Sequence, residues 1–280
     1  MKQQHIAFHQ DGHTMAFSYD HNTIFLLDTS TRKRFREYTH PHMVTKLVYS
    51  PTNALVIGDV SGTTTIVNAS FETLKTFHTG EVHDIAITHQ HIAIADSTTT
   101  LKITNIHNNN NTNIHSYGEF LSVAYNPQGS LLAAGDLVHM VYLFDTQTYN
   151  IVSKLPQTRY ASSIAFSPNG TIMAVGDDCG DTNIYNMHTK LRMHTFQQRE
   201  HINRVAFYKN NMVAIATSIQ YIHSSKYIQK GHILLYNVDQ MTLLEKKEYD
   251  HAVTEVAFSN NNHLAYASHK GNVHISVIKV

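Results

Sequence analysis

"SSIAFSPNGTIMAVGDDCGDTNIYN", Ser162 to Asn186, holds three short apolar runs separated by turn residues. The first alternates apolar and polar residues and ends in Ser-Pro-Asn-Gly, where Pro presets φ and Gly accepts a positive value. The second, IMAVGD, is made of small and β-branched residues, and the third closes on Tyr185 and Asn186. The same order returns along the chain. Copies begin HIAFHQDG at His5, KLVYSPTN at Lys46, DIAITHQH at Asp84, SVAYNPQG at Ser122, SIAFSPNG at Ser163, RVAFYKNN at Arg204 and EVAFSNNN at Glu255. A period near forty residues is the mark of a repeat architecture, and it outranks any single motif.

Inside each copy the second run is small and alternating, as in ALVIGD, HIAIAD, LLAAGD and HLAYAS. Such strands suit positions pressed between neighbouring sheets, where large side chains do not fit. The third run reads TIFLLD, TTTIVN, TLKITN, VYLFD, TNIYN, HILLYN and VHISVI, and a fourth, less regular, follows as in KRFREY or ETLKTF. Four short antiparallel strands per unit, seven times, predict an all-β, seven-bladed β-propeller of four-stranded antiparallel blades, a single unit spanning residues 1–280. The seventh copy reaches Val280 with its third strand and only MKQQ precedes the first, so the last blade is expected to be three-stranded unless a partner completes it.

Composition narrows the function classes. Lys plus Arg (21) equals Asp plus Glu (21), which disfavours an extended nucleic-acid groove. One Cys forms no internal disulfide, and no apolar run is long enough for a signal peptide or a membrane span. The chain therefore reads as soluble and intracellular, cytoplasmic with the nucleus as the other option. The 22 His are scattered rather than set at metal-ligand spacing, so no metal and no cofactor are expected.

The strand starts, the small second strands and the closing aromatic or aliphatic residue followed by Asp or Asn resemble the WD-repeat (Trp-Asp repeat) propeller family over essentially the full length. Where that family has Trp then Asp, this chain has Leu27–Asp28, Val67–Asn68, Thr104–Asn105, Phe144–Asp145, Tyr185–Asn186 and Tyr236–Asn237. The family's Gly-His turn is matched by spacing at His40 and His78, and the resemblance implies that such a His joins a hydrogen-bond network inside a blade. It also implies a non-catalytic interaction scaffold, one subunit of a multiprotein assembly.

Each candidate site is weighed against the repeat. "GDDCGD", with Asp177, Asp178, Cys179 and Asp181, occupies the turn between second and third strands. Asp20, Asp59, Asp96 and Asp136 hold the same place in other units, where a carboxylate can accept backbone N–H bonds. Calcium-loop spacing is absent. The first strands offer mostly Ile, Val, Ala, Phe, Tyr and Ser, with no convergent set of carboxylates or His expected at the channel, so no catalytic residue is assigned. The alternative is an enzyme, or a ligand or modified-peptide binder, at the channel entrance, with Tyr160, Glu200 and Asp250 in suitable turns. The sixth unit is longer by a near-mirror stretch, SIQYIHSSKYIQKG, that alternates like a hairpin. Tyr221, Ile222, Lys226, Tyr227 and Ile228 there, with Tyr160 and Glu200, are the expected partner contacts. A second expected contact is a strand donated by another protein to the blade containing His274–Val280. The Asn-rich HNNNNTN, His107 to Asn113, reads as a flexible polar loop.

Overall fold

A computed structural model describes residues 4–198, 200–223, 226–268 and 272–278, with no description of the side chains of residues 220–228. Seven antiparallel sheets follow one another in chain order, six of four strands and a last of three. In each, the strand nearest the axis comes first and the outer strand last, so strand order in space equals order in sequence. The molecule is a seven-bladed β-propeller, and its three-stranded seventh blade (Val253–Phe258, His263–Ser268, Val273–Val277) agrees with the sequence reading.

Turn chemistry explains why the repeat holds with no fixed residue before its closing Asp or Asn. In the turn after the first strand, the positive φ falls on Gly12, Asn53, Gly129, Gly170 and Asn262, residues that tolerate it. The closing Asp or Asn of the third strand has a mechanical task. Oδ1 of Asp28, Asn68, Asn105, Asp145 and Asn186 each accepts two backbone N–H bonds from the turn to the outer strand. An Asx turn needs only that oxygen, so Asp and Asn exchange freely while the residue before them varies. Part of HNNNNTN is accordingly ordered: Asn111–His115 is the outer strand of blade 3.

The core is divided among the interfaces. Seven buried apolar clusters each draw on two neighbouring blades, and the cluster joining blade 7 to blade 1 (Ala265 and Ala267 against Ile6, Met15 and Phe17) is built like the other six. That junction has no covalent link, and bonds from Asn260 Nδ2 to Gln10 O (3.1 Å) and from Asn261 Nδ2 to Asp11 O (3.0 Å) supplement its packing. Small second strands make the spacing feasible. A Cβ on Gly135 would lie 2.6 Å from Ala161 Cβ, and one on Gly176 2.5 Å from Ile202 Cγ2, in each case a residue of the next blade.

The sixth blade departs in length. Its second and third strands, Met212–His223 and Lys226–Asn237, pair from Met212 with Asn237 out to His223 with Lys226, with an interruption at Thr217, Ser218, Gly231 and His232. The expected hairpin is thus a continuation of two blade strands beyond the ring.

Replacing Gly176 by Val should destabilise the fold by about 1–3 kcal/mol, because the added carbons meet a packed neighbouring blade. Urea unfolding of the variant against wild type measures this, and an unchanged midpoint would show that the blades are not in close contact there.

Candidate functional site

One face of the ring carries the turns between second and third strands and the connections into each next inner strand; it is called the top face below. The inner strands of blades 2 to 7 share a feature the alternation of residues does not reveal. Each bulges by one residue at the same level: Thr45, His83, Leu121, Ser162, Asn203 and Thr254 are unpaired against the second strand. A bulge re-aims the residues beside it. The residue that follows it in each strand, with His5 at the corresponding place in blade 1, gives the series His5, Lys46, Asp84, Ser122, Ser163, Arg204 and Glu255.

These seven residues form a network about the axis, six of them buried and Arg204 half-buried. Lys46 Nζ lies 2.9 Å from Asp84 Oδ1; Arg204 Nε is 2.9 Å from Glu255 Oε1 while its Nη1 is 3.7 Å from Asp84 Oδ1; His5 Nδ1 is 3.6 Å from Glu255 Oε2. Arg204 of blade 6 therefore reaches both blade 7 and, across the channel, blade 3. Asp84 Oδ2 accepts the Val123 N–H of blade 4 at 3.0 Å, Ser163 Oγ accepts the Val205 N–H of blade 6 at 3.1 Å, and Ser122 Oγ donates to Ala161 O of blade 5 at 2.9 Å. Every member ties its own blade to another. This corrects the expectation that the inner strands bring no set of charged residues together. The signal was the first column of the repeat, which reads His, Lys, Asp, Ser, Ser, Arg, Glu and conceals a cluster because no residue type repeats.

The electrostatics follow from burial and pairing. Burial alone would raise the Glu255 carboxyl, but Arg204 and Lys46 outweigh it and hold the pKa at about 2. Asp84 is likewise raised by burial and lowered further by Lys46 and Arg204, ending below the usual carboxylate range. His5 is pushed down by burial, with Glu255 opposing, which keeps it neutral near pH 7. Above the network, a cavity of about 280 Å³ opens on the top face, bordered among others by Glu81, His83, Tyr160 and His201. Of the three turn residues expected at the entrance, Tyr160 lines it and Glu200 and Asp250 do not. Burial, then the nearby Asp178, raises the Tyr160 phenol.

Glu200 is bonded within blade 6. Its Oε2 accepts from Thr217 Oγ1 and sits 2.7 Å from His232 Nδ1, beneath the blade 6 hairpin. It braces its own blade. Tyr221, Ile222, Lys226, Tyr227 and Ile228 lie on the paired backbone of that hairpin, while their side chains fall outside the described residues.

The recurrent turn aspartates occupy one buried position at the end of the second strand. Asp59, Asp96 and Asp136 each use Oδ1 for turn amides and Oδ2 for a donor from the preceding connection: His40 Nε2 at 2.8 Å, Gly80 N at 2.9 Å and Ser116 Oγ at 2.6 Å. Asp20 lies one residue beyond this position and is exposed. His78 also stands one residue out of register; the backbone place of His40 is taken by Thr79, and the His78 side chain is exposed. Asp177 keeps the Oδ1 bonds, to Cys179 N and Asp181 N at 2.9 Å each, but its buried Oδ2 has no hydrogen-bond partner among the described residues. Burial consequently wins at Asp177 and raises its pKa. At Asp59 the Ser61 and His40 bonds outweigh burial and lower it. Among the described residues no group of three or more His, Cys, Asp or Glu could hold a metal ion, and no helix is long and apolar enough to cross a membrane.

Residues 123–210 match the family model described as the anaphase-promoting complex subunit 4 WD40 domain. The match runs from the inner strand of blade 4 through that of blade 6. No curated protein matches the chain.

Two outcomes follow from the network and the turns. For Asp84 and Glu255, lowered carboxyl values mean stability that is full above about pH 4 and lost as pH falls toward 2. For His5 the lowered value means stability lost as pH drops below about 6.5. Thermal melts should therefore fall in two stages on acidification, and Glu255→Gln should lower the melting temperature at pH 7; a flat pH profile would contradict the pairing. Asp59→Asn should cost about 1–3 kcal/mol at pH 7. Asp177→Asn should be neutral or stabilising there, because its raised pKa makes the native carboxylate progressively unfavourable as pH rises past about 4. Equal losses in the two variants would refute the distinction.

Proposed function

Because the chain is a WD-repeat β-propeller, we propose that it works as a non-catalytic interaction scaffold, one subunit of a multiprotein assembly, with residues 1–280 acting as one platform. The observation that carries this reading is the channel network, in which Lys46, Asp84, Arg204 and Glu255 pair with one another. Groups so matched hold blades in place rather than wait for a substrate. The matched family belongs to a subunit of a complex, which supports membership of an assembly without specifying which.

Two places on the ring support partner binding. The blade 6 hairpin rises from the top face and brings Tyr221, Ile222, Tyr227 and Ile228, residue types that give large contact area at low entropic cost. Blade 7 ends at Val273–Val277 in an edge that no described strand pairs, and a groove of about 230 Å³ beside it is bordered by Ile233, Leu235, Phe258, Leu264 and Val277. An added strand from a partner would pair with that edge and cover the groove. A ligand or modified peptide at the channel mouth is the second reading, favoured by the cavity that Tyr160 and Glu81 border.

Gln220 pairs directly with Gln229, so residues 221–228 can be replaced by an Asn-Gly turn that suits a tight hairpin. The shortened protein should melt as wild type does and lose partners that co-purify with the full chain from its native source, as counted by mass spectrometry. Retention of every partner would remove the hairpin from the reading.

A further inference from the structure

Outer strands expose one edge to solvent, and proteins usually blunt such edges with Lys, Pro, short length or a bulge. Five of the six outer strands here do bulge, all at the same level. The extra residue is Phe35, Leu74, Val152, Met193 and Leu244 in blades 1, 2, 4, 5 and 6. Breaking an edge requires no apolar residue; Gly or Lys would do it. Yet all five bulge residues are large, apolar and at least 45% exposed. In blades 4 to 6 a second apolar residue stands beside each: Ile151, Leu191 and Leu243, exposed by 45% to 68%. The arc has clear ends. Blade 3 carries Asn111 and Thr112 at this level with no bulge, and blade 7 has no outer strand among the described residues.

Charge indicates what the arc would accept. Across the six outer strands seven Lys and Arg face three Asp and Glu, in a chain whose totals are equal. In the arc itself, Glu245 pairs with Lys247 at 3.1 Å and Glu248 with Lys230. Among the described residues no carboxylate lies within ion-pair distance of Lys154, Arg192 or Lys246. We propose that the rim of blades 4 to 6 is a further interaction surface, which takes an acidic, apolar-bearing segment of a partner protein laid along successive blades. The segment would place apolar side chains on Val152, Met193 and Leu244 and carboxylates on Lys154, Arg192 and Lys246. A curved rim suits a segment better than a flat lipid surface, which would reach only part of the arc.

The test uses the full chain and two labelled amphipathic peptides of about twenty residues that share one leucine-rich face and differ in having Glu or Lys on the other. Fluorescence anisotropy should show binding of the Glu peptide, weakening with salt. Val152→Ser with Leu191→Ser and Met193→Ser should weaken it at least about tenfold, while Phe35→Ser with Leu74→Ser should change it less than about twofold. Lys154→Glu with Arg192→Glu and Lys246→Glu leaves the apolar residues in place and should reverse the preference toward the Lys peptide. Thermal melts confirm folding of each variant. Absence of Glu-peptide binding, equal binding of both peptides, binding that survives the arc substitutions, or recruitment to phosphatidylserine vesicles in place of peptide would each overturn the proposal. Shortening the blade 6 hairpin should leave this binding unchanged, so the two surfaces stand or fall separately.

Discussion

Seven twisted sheets can share one axis only if the strands nearest it are closely spaced and the gap they leave is filled. Apolar packing fills the space between blades, but the axis itself is bordered by strand edges and bulges. Here the filling is largely ionic: Arg204 spans the channel from Glu255 to Asp84, Lys46 pairs with Asp84, and the neutral His5 stands beside Glu255. Burying charges is costly unless each is paired, and every pair found here joins residues of different blades. The network is thus a geometric restraint as much as a source of stability. It fixes which blade stands opposite which, a task that apolar contacts between similar blades perform poorly.

Small side chains in the second strands make the same arrangement possible from outside. Gly58, Gly135 and Gly176 precede the buried Asp59, Asp136 and Asp177, so the place where a neighbouring blade comes closest adjoins the place where a carboxylate locks the turn. The two features reinforce each other. A larger residue would push the next blade away, and a mobile turn would leave the buried carboxylate without its amides.

Much of this was legible in the sequence because it repeats. The turn residues Gly12, Asn53, Gly129, Gly170 and Asn262, the small second strands and the Asp-or-Asn turn each obey a local rule that any one copy displays. The blade 6 hairpin was legible as a break in the period. The channel network was not, because its members have different chemistry and meaning arises only when His5, Lys46, Asp84, Arg204 and Glu255 converge. The bonds of Glu200 were hidden for a related reason: its partners Thr217 and His232 are distant in sequence. The rim residues were hidden because a bulge is a property of pairing between two strands, and a single strand does not announce it.

The junction between blades 7 and 1 deserves a mechanical reading. Six of the seven interfaces are spanned by continuous polypeptide, whereas this one is held by side chains alone, among them His5 against Glu255. Glu255 is also the tightest anchor of Arg204. Separation along that seam takes His5 away from Glu255, whereas Arg204 and Glu255, on blades 6 and 7, stay together on one side of it. Opening the circle and unplugging its centre are therefore separable events: the seam can part while Arg204 still joins Glu255 to Asp84.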